Sequence, residues 1–180
     1  MKIKMGHVIL RFDQFCNENV YANDKGGKFW GNMGAGILPI CRETGRICVP
    51  FRSAYVNEPH TWGVFGGAVG DPDSGSLETN ETAEDAAKRE LTEESGYDGQ
   101  FELIPGFVFK SKDGTFEYHN FIGIVDYEFE PTLNWETEKT EWMPFDKLMS
   151  LSPKHFGLKA FLDHDHAKIK SIVSESKIHV

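Results

Sequence analysis

Three glutamates that lie close together, Glu90, Glu93 and Glu94, are the residues best suited to chemistry in this chain. Residues three and four apart are neighbours on a helix surface, so a helix would bring these carboxylates together and make them repel one another. Burial would strengthen that repulsion, because it removes hydration. A hard divalent cation would relieve it, since carboxylate oxygens are its preferred ligands and phosphate oxygens can complete its shell. The spacing therefore indicates a metal site for phosphate chemistry.

The helical phase of residues 82–95 supports this interpretation over a solvated acidic face. At roughly 100° per residue, one arc of the predicted helix is apolar. That arc contains Ala83, Ala86, Ala87 and Leu91. The three glutamates fall inside the same arc, and the opposite side carries Asp85, Lys88 and Thr92. Thr82 and Asp85 resemble a capping box at the start of this helix, and Gly96 is a stop signal at its end.

The glutamates also belong to a longer pattern of fixed spacing. Written out, it is Gly75-x5-Glu81-x7-Arg89-Glu90-Leu91-x-Glu93-Glu94-x-Gly96-Tyr97. This matches every fixed position of the Nudix box, Gly-x5-Glu-x7-Arg-Glu-U-x-Glu-Glu-x-Gly-U, in which U is bulky and apolar and Tyr97 is the least typical match. The chain therefore resembles the Nudix hydrolase superfamily, and the likeness extends over about residues 34–150.

The resemblance implies a role for each matched side chain. Glu93 and Glu94 correspond to the family's chief metal ligands, and Glu90 to a third ligand or a general base. Arg89 corresponds to the arginine that orients these glutamates. Glu81 corresponds to the glutamate that pairs with this arginine or holds the loop. The implied cofactor is Mg²⁺, with Mn²⁺ as the alternative.

Glycines are the one point of departure from the commonest family pattern. In that pattern the box begins at a Gly-Gly pair that ends a strand and whose carbonyl often binds metal. The pair here is Gly66-Gly67, which lies before Gly75 and implies a lengthened loop. We expect Gly66 and Gly67 to contribute to the metal site, and we keep Gly75 as the box glycine. Gly96 ends the catalytic helix, where a left-handed residue suits glycine.

A general base from outside the box is also implied for some family members. The acidic stretch 134–141, which we expect to be a loop, contains Glu136, Glu138 and Glu141. The family layout favours Glu138, which lies four residues before Trp142.

Other side chains have chemistry suited to a nucleotide. The aromatic candidates for stacking on a base are Trp62, Phe109, Tyr118 and Phe121. Aromatic residues on strands more often belong to the core, which is the alternative for all four. Arg52 follows a predicted strand and suits a phosphate contact, although a surface arginine has the same appearance.

The elements that position these residues follow from periodicity and turn signals. Predicted strands cover 34–40 and 46–51, an apolar run covers 62–69, a hairpin joins 101–109 to 115–127, and a helix covers 153–174. The resemblance implies an α+β fold, an α/β/α sandwich whose mixed sheet is flanked by the catalytic helix and a C-terminal helix. We expect one domain over residues 1–180, with an N-terminal strand and loop extension at 1–33 and the C-terminal helix at 150–180.

Composition limits the class of partner. The 180 residues carry a net charge of −9, and the segment from Gly75 to Tyr97 contributes seven acids and two bases to it. This acidity disfavours a general nucleic-acid binder, and no apolar run approaches the roughly 18 residues of a membrane span. Three cysteines without a CxxC pair disfavour a disulfide framework, so we expect a cytoplasmic protein. The expected partner is a small nucleotide-type molecule, and a homodimer is compatible with the sequence.

Three functions remain in competition. The leading hypothesis is metal-dependent hydrolysis of a diphosphate linkage in a nucleoside diphosphate derivative or nucleotide, with water attacking phosphorus. The second is removal of pyrophosphate from RNA 5′ ends, for which Lys147, Lys154 and Lys159 would supply a basic patch. The third is a non-catalytic nucleotide-binding module on the same fold, which the complete set of box glutamates disfavours.

Overall fold

A mixed sheet forms the centre of the computed structural model, which describes residues 32–70, 80–111 and 113–176. Within that part of the chain the strands are β1 (Met33–Cys41), β2 (Ile47–Arg52), β3 (Phe65–Ala68), β4 (Glu102–Lys110), β5 (Glu117–Val125) and β6 (Thr137–Met143). The helices are α1 (Ala83–Ser95), α2 (Phe145–Ser150) and α3 (Phe156–Ser176). The predicted N-terminal strand and its loop before residue 32 lie outside the described residues.

The sheet is mixed because β1 pairs with β5 in parallel and with β2 and β3 in antiparallel fashion. The order of the main path is β4-β5-β1-β2-β6, and β3 pairs with β1 off this path. β1 is central and nearly all of its residues are buried, as expected for a strand covered on both faces. The predicted hairpin is confirmed as the antiparallel pair β4 and β5.

Each face of the sheet packs on helices. On one face, Ala86, Ala87 and Leu91 of α1 join the core. On the other, α2 and α3 contribute Phe145, Leu148, Leu158, Phe161, Leu162, Ile169 and Val173. The structure therefore confirms the α+β class and the α/β/α sandwich, with α1 and the C-terminal helix on opposite sides.

The structure differs from the sequence prediction near the C-terminus. The acidic stretch 134–141, expected to be a loop, contains most of β6, which pairs antiparallel with β2. β6 lies at one end of the strand order, and its charged residues Glu138 and Lys139 are exposed, as suits an edge strand. The C-terminal helix begins at Phe156 rather than near residue 150, because the short helix α2 comes first.

Two further sequence expectations concern cysteines and membranes. Cys41 and Cys48 are both buried free thiols, and the register pairs Ile40 with Ile47. Neither cysteine therefore lies directly opposite the other across the hairpin. In the described ranges, no helix has the length and apolar character needed to cross a membrane.

Candidate functional site

Helix α1 begins and ends where the sequence predicts. The Thr82 hydroxyl accepts the Asp85 N–H at 3.1 Å, and Asp85 Oδ2 accepts the Thr82 N–H at 3.3 Å. These two bonds satisfy two backbone N–H groups at the N-terminal end of α1, where N–H groups have no partner within the helix. At the other end, Gly96 has a φ of 71°, a left-handed conformation that glycine adopts without steric cost. The capping box and the glycine stop are therefore confirmed, and they fix which face of α1 meets the sheet.

Two of the three box glutamates are buried on that face. Glu90 is 9% exposed and Glu94 is 5% exposed, whereas the Glu93 side chain is 56% exposed. The helical phase correctly predicts the burial of Glu90 and Glu94. It is wrong for Glu93, because that residue lies at the edge of the apolar arc, from which a glutamate side chain reaches solvent.

Arg89 joins the acidic side chains of the box to one another. Its Nε donates to Glu81 Oε1 at 2.8 Å and its Nη2 to Glu81 Oε2 at 3.3 Å. Its Nη1 donates to Glu90 Oε1 at 2.8 Å and to Glu93 Oε2 at 3.0 Å. Nη2 also donates to the Ala68 carbonyl at 3.0 Å. Only the planar guanidinium has enough donors in a fixed geometry for all of these contacts.

Glu81 ties this arrangement to the end of β3. Its Oε2 accepts the Gly70 N–H at 2.7 Å. The hydrogen bond from Arg89 lowers the pKa of Glu81, and its pairing with Glu81 raises the pKa of Arg89. Both groups are therefore held in their charged forms, and α1 is fixed to the segment that follows β3.

The glycine pair of β3 lies directly against the buried glutamates. The Gly66 N–H donates to Glu94 Oε2 at 3.2 Å. A Cβ on Gly67 would overlap Glu90 Oε1, so any larger residue at 67 would displace that carboxylate. Gly66 and Gly67 thus allow the strand to approach α1 at the position of the predicted metal site. Gly75, the formal first residue of the box, lies outside the described residues.

A third carboxyl group meets the two buried ones. Burial raises the pKa of Glu94 well above its usual range, and the neighbouring charges of Glu90 and Glu136, together with a hydrogen bond to the Glu136 side chain, raise it further. Burial also raises the pKa of Glu90, although its pairing with Arg89 opposes this. We call Glu90, Glu94 and Glu136 the acid cluster.

The three acids proposed as a base from outside the box lie in different surroundings. Glu136 immediately precedes β6 and belongs to the acid cluster. Glu138 is in β6, where its Oε2 lies 3.4 Å from Nδ1 of His60 and its side chain is 53% exposed. Glu141 pairs with Lys147 at the surface. The structure therefore brings Glu136, rather than Glu138, to the buried glutamates.

Arg52 is a second basic group next to the acid cluster, in addition to Arg89. Burial lowers the pKa of Arg52, while the charges of Glu94 and Glu136 act in the opposite direction. Its Nε and Nη2 both donate to the Asn57 carbonyl, at 2.9 and 2.8 Å. A guanidinium at the end of β2 is therefore close enough to the buried carboxylates to interact with a charge held beside them.

Two of the four aromatic candidates belong to the core. Trp62 is 6% exposed and Phe121 is 4% exposed, each packed in one of the two apolar layers. Phe109 is partly buried, and Tyr118 lies against Gly34 and Gly36, where any Cβ would overlap its ring. Trp62 and Phe121 are therefore core residues, whereas Phe109 and Tyr118 remain candidates for stacking on a ligand.

The acid cluster and Glu93 suit a hard divalent cation in their donor chemistry, because all of them offer carboxylate oxygens whose mutual repulsion a cation relieves. Within the described ranges, no three His, Cys, Asp or Glu side chains stand ready in a coordination arrangement. In the structure the Glu90 and Glu93 carboxylates are instead hydrogen-bonded to Arg89.

The match to known families decides what kind of protein carries this site. A sequence model of the NUDIX domain matches residues 32–164, most of the chain. The chain belongs to the Nudix hydrolase family. Members of this family are pyrophosphohydrolases that generally use a divalent metal ion. Glu90 and Glu94 of α1 lie within the residues that this model matches.

Solved structures of other Nudix proteins share the fold. RenU, a Nudix hydrolase from M. smegmatis, has a TM-score of 0.62 and 21% identity, with 84% of this chain and 91% of that chain covered. The NUDIX domain of Shewanella oneidensis NrtR, in complex with ADP ribose, has a TM-score of 0.58 and 13% identity, with 83% and 94% covered. The E. coli dihydroneopterin triphosphate pyrophosphohydrolase has a TM-score of 0.54 and 18% identity, with 76% and 99% covered. No curated protein sequence matches the chain significantly.

Proposed function

We propose that this Nudix hydrolase cleaves a diphosphate linkage in a nucleoside diphosphate derivative or nucleotide, with Mg²⁺ as its metal ion and Mn²⁺ as a substitute. The observation that carries the proposal is the acid cluster: two buried glutamates of α1 meet a third from the segment before β6. Concentrating carboxylates where they are poorly hydrated lowers the stability of the folded protein. A cation bound together with a phosphate would relieve the repulsion among these carboxylates and offset that cost.

The side chains that would hold the metal are Glu90, Glu93 and Glu94, with the backbone of Gly66 and Gly67 beside them. When bound, the ion would neutralise the phosphate oxygens and lower the pKa of the attacking water. Arg89 supports this set by keeping the Glu90 and Glu93 carboxylates in place at 2.8 and 3.0 Å. The Gly66 N–H does the same for Glu94.

Glu136 is our candidate for the general base. It would accept a proton from the attacking water as the new O–P bond forms and the bond from phosphorus to the bridging oxygen breaks. The leaving phosphate would carry away the bridging oxygen and its charge. Arg52 would stabilise negative charge on the transferred group, because its guanidinium lies beside the same carboxylates.

The described lysines give little support to the RNA alternative. Lys147 pairs with Glu141, and Lys159 Nζ lies 2.6 Å from Asp163 Oδ2. Lys154 donates to the Met149 and Leu151 carbonyls at 2.9 and 2.6 Å. Because all three are engaged within the chain, they do not form a free basic surface, and the small-molecule substrate is favoured.

The proposal is tested by assaying the purified protein on nucleotides with added metal. The panel includes ADP ribose, which the NrtR domain binds, dihydroneopterin triphosphate, and a triphosphorylated RNA. We expect hydrolysis of at least one small nucleotide, complete loss of turnover in EDTA, and recovery with Mg²⁺. Product identification by mass spectrometry in ¹⁸O-water shows which phosphorus is attacked. Inactivity on all small molecules, or activity that EDTA leaves unchanged, would contradict the proposal.

A comparison of Glu136→Gln with Glu138→Gln tests which acid is the base. We expect Glu136→Gln to lower kcat about 100-fold or more, as loss of a general base does. Glu138→Gln should change kcat by less than about threefold, since its partner is His60 at the surface. The reverse ranking of the two variants would restore Glu138 as the base.

A further inference from the structure

Tyr55 and Trp135 are large aromatic residues that folding leaves in water. Tyr55 is 83% exposed and Trp135 is 64% exposed. A large aromatic side chain stabilises a protein mainly when it is buried, so an exposed one is informative when it lies close to a functional site. The backbones of both residues lie close to Glu136 of the acid cluster.

The loop that carries Tyr55 is fixed at its base. Arg52 N–H donates to the Thr61 carbonyl at 2.9 Å, and His60 N–H donates to the Arg52 carbonyl at 3.0 Å. The Arg52 guanidinium crosses the loop and donates twice to the Asn57 carbonyl. Residues 53–60 therefore form a closed turn rather than a slack connection.

The same loop is also held from outside. The Glu58 Oε2 accepts the Phe156 N–H of α3 at 3.2 Å, and His60 lies 3.4 Å from Glu138 of β6. Glu58 and His60 have φ values of 48° and 56°, a left-handed conformation that side-chain-bearing residues adopt at some cost. A loop built with that strain and so many contacts presents Tyr55 in a defined place.

One hydrogen bond places the backbones of both aromatic residues next to Glu136, the proposed general base. The Ser53 N–H donates to the Glu136 carbonyl at 2.8 Å. Trp135 immediately precedes Glu136, and Tyr55 follows Ser53 by two residues, with its own N–H donating to Ser53 Oγ at 3.2 Å. The Glu136 side chain reaches Glu94. The two aromatic residues thus lie on neighbouring loops at the border of the acid cluster.

The chemistry of this border suits an uncharged ring better than a phosphate. The acid cluster and Arg52 offer charged groups, whereas the exposed side chains of Tyr55 and Trp135 offer aromatic faces. Aromatic side chains bind a nucleobase through its face, whatever its pattern of hydrogen-bonding groups. Since the diphosphate of the substrate would occupy the acid cluster, the group attached to it would extend over these two residues.

We propose that Tyr55 and Trp135 form the binding site for the nucleobase of the substrate. The inference rests on the proposed function and specifies the substrate further, as a diphosphate that carries a planar aromatic base on one side. A second copy of the chain or another protein is the competing occupant, but two residues offer far less area than the roughly 800 Å² per partner of a stable interface.

The test uses Tyr55→Ala and Trp135→Ala, with Tyr127→Ala as the matched control. Tyr127 is 70% exposed, and its neighbour Asp126 pairs with Arg42 at the β1–β2 turn rather than at the acid cluster. Each variant is assayed on a nucleoside diphosphate derivative and on a diphosphate diester of equal charge with an alkyl group in place of the nucleoside.

We expect each variant to raise KM for the nucleoside substrate about tenfold or more, with kcat changed less than about threefold. KM for the alkyl substrate should not change in either variant. Trp135→Phe should bring KM for the nucleoside substrate most of the way back to the wild-type value. Tyr127→Ala should behave as the wild type. Equal effects on both substrates, or equal effects of the control, would overturn the proposal. So would a change of oligomeric state in size-exclusion chromatography, since that would identify a protein partner.

A binding experiment separates this inference from the proposed function. AMP should quench tryptophan fluorescence of the metal-free protein, and ribose 5-phosphate should not. On a Trp30→Phe background, Trp135→Phe should abolish the quench, because the two tryptophans that remain, Trp62 and Trp142, are buried. If no substrate is hydrolysed but this quench is seen, the base site stands and the proposed activity fails. If substrates are hydrolysed and AMP binding is unaffected in Tyr55→Ala and Trp135→Ala, the base site fails and the activity stands.

Discussion

Replacing Glu94 with glutamine is expected to lower kcat about 1,000-fold. Glutamine keeps the size of the side chain and an oxygen that can accept the Gly66 N–H, but it removes the charge proposed to bind the metal. Loss of several kcal/mol of transition-state stabilisation corresponds to about three powers of ten in rate. Steady-state kinetics at saturating Mg²⁺ measures the effect, and a higher Mg²⁺ requirement in the variant would identify Glu94 as a ligand rather than a structural group.

The same substitution should make the metal-free protein more stable at neutral and alkaline pH. Because the pKa of Glu94 is raised in the folded state, its contribution to stability is full below the ordinary value of 4.5 and is lost as the pH rises through the folded-state pKa. Glutamine carries no charge, so thermal unfolding in EDTA at pH 8 should show a gain of about 1 kcal/mol or more. The gain should disappear as the pH falls towards 4.5.

A control on the same helix makes this result specific. Glu84 is exposed in the first turn of α1, so Glu84→Gln should change kcat by less than about twofold and leave the pH dependence of stability as it is. If the activity of Glu94→Gln stays within tenfold of the wild-type activity, Glu94 is not part of the metal site. If Glu94→Gln instead lowers the stability of the metal-free protein at pH 8, the charged form of Glu94 must be stabilised in the folded state by an interaction that its neighbours do not reveal.

Replacing Arg89 with alanine is expected to damage stability and activity together. The substitution removes the donors to Glu81, Glu90 and Glu93 and the bond to the Ala68 carbonyl, leaving acidic groups close together without a cation. Breaking an ion pair of this kind costs about 3 kcal/mol, or roughly 5–10 °C in Tm for a domain of this size. Activity should fall about 10- to 100-fold, because the proposed ligands lose the group that orients them.

Arg89→Lys and Arg42→Ala are the companion variants. Lysine keeps the charge but not the planar set of donors, so Arg89→Lys should recover part of the stability and little of the activity. Arg42 pairs with Glu102 and Asp126, and all three side chains are at least half exposed. Arg42→Ala should therefore cost less than about 1 kcal/mol. Similar losses in Arg42→Ala and Arg89→Ala would mean that the box arginine is an ordinary surface residue.

The catalytic helix could be predicted closely because its determinants are local. Thr82, Asp85 and Gly96 fix where it starts and stops, and the helical period then decides which side chains face the sheet. Burial of Glu90 and Glu94 follows from that phase alone. The exposure of Glu93 does not, because it depends on how far the sheet extends over the edge of the helix.

The acid outside the box could not be predicted, because its position depends on strand register. Successive residues of a strand point to opposite faces, so one position decides whether a carboxylate meets a neighbour or solvent. The pairing of β2 with β6 shifts register between Phe51 and Arg52. As a result, Glu136 precedes β6 and lies against Glu94, whereas Glu138 is within β6 and lies beside His60. Sequence distance from Trp142 carries no information about such a shift.

The surroundings of the aromatic residues could not be predicted for the same reason. Trp62 and Phe121 were candidates because of their type, but their burial is decided by strands and helices distant in sequence. Tyr55 and Trp135 gave no periodic signal, and their loops are brought together by the pairing of β2 with β6 and by the hydrogen bond between Ser53 and Glu136.

The sequence by itself determined the chemistry of this protein: an acidic helix in the phase of a Nudix box, an arginine to organise it, and hence its membership of a family of pyrophosphohydrolases. These features depend on contacts within a few helical turns, which residue spacing encodes directly. Only the tertiary structure decided which acid joins the buried glutamates and which aromatic residues stay in water. Both depend on contacts between β2, β6 and their loops, which are far apart in the chain and are fixed by register and packing.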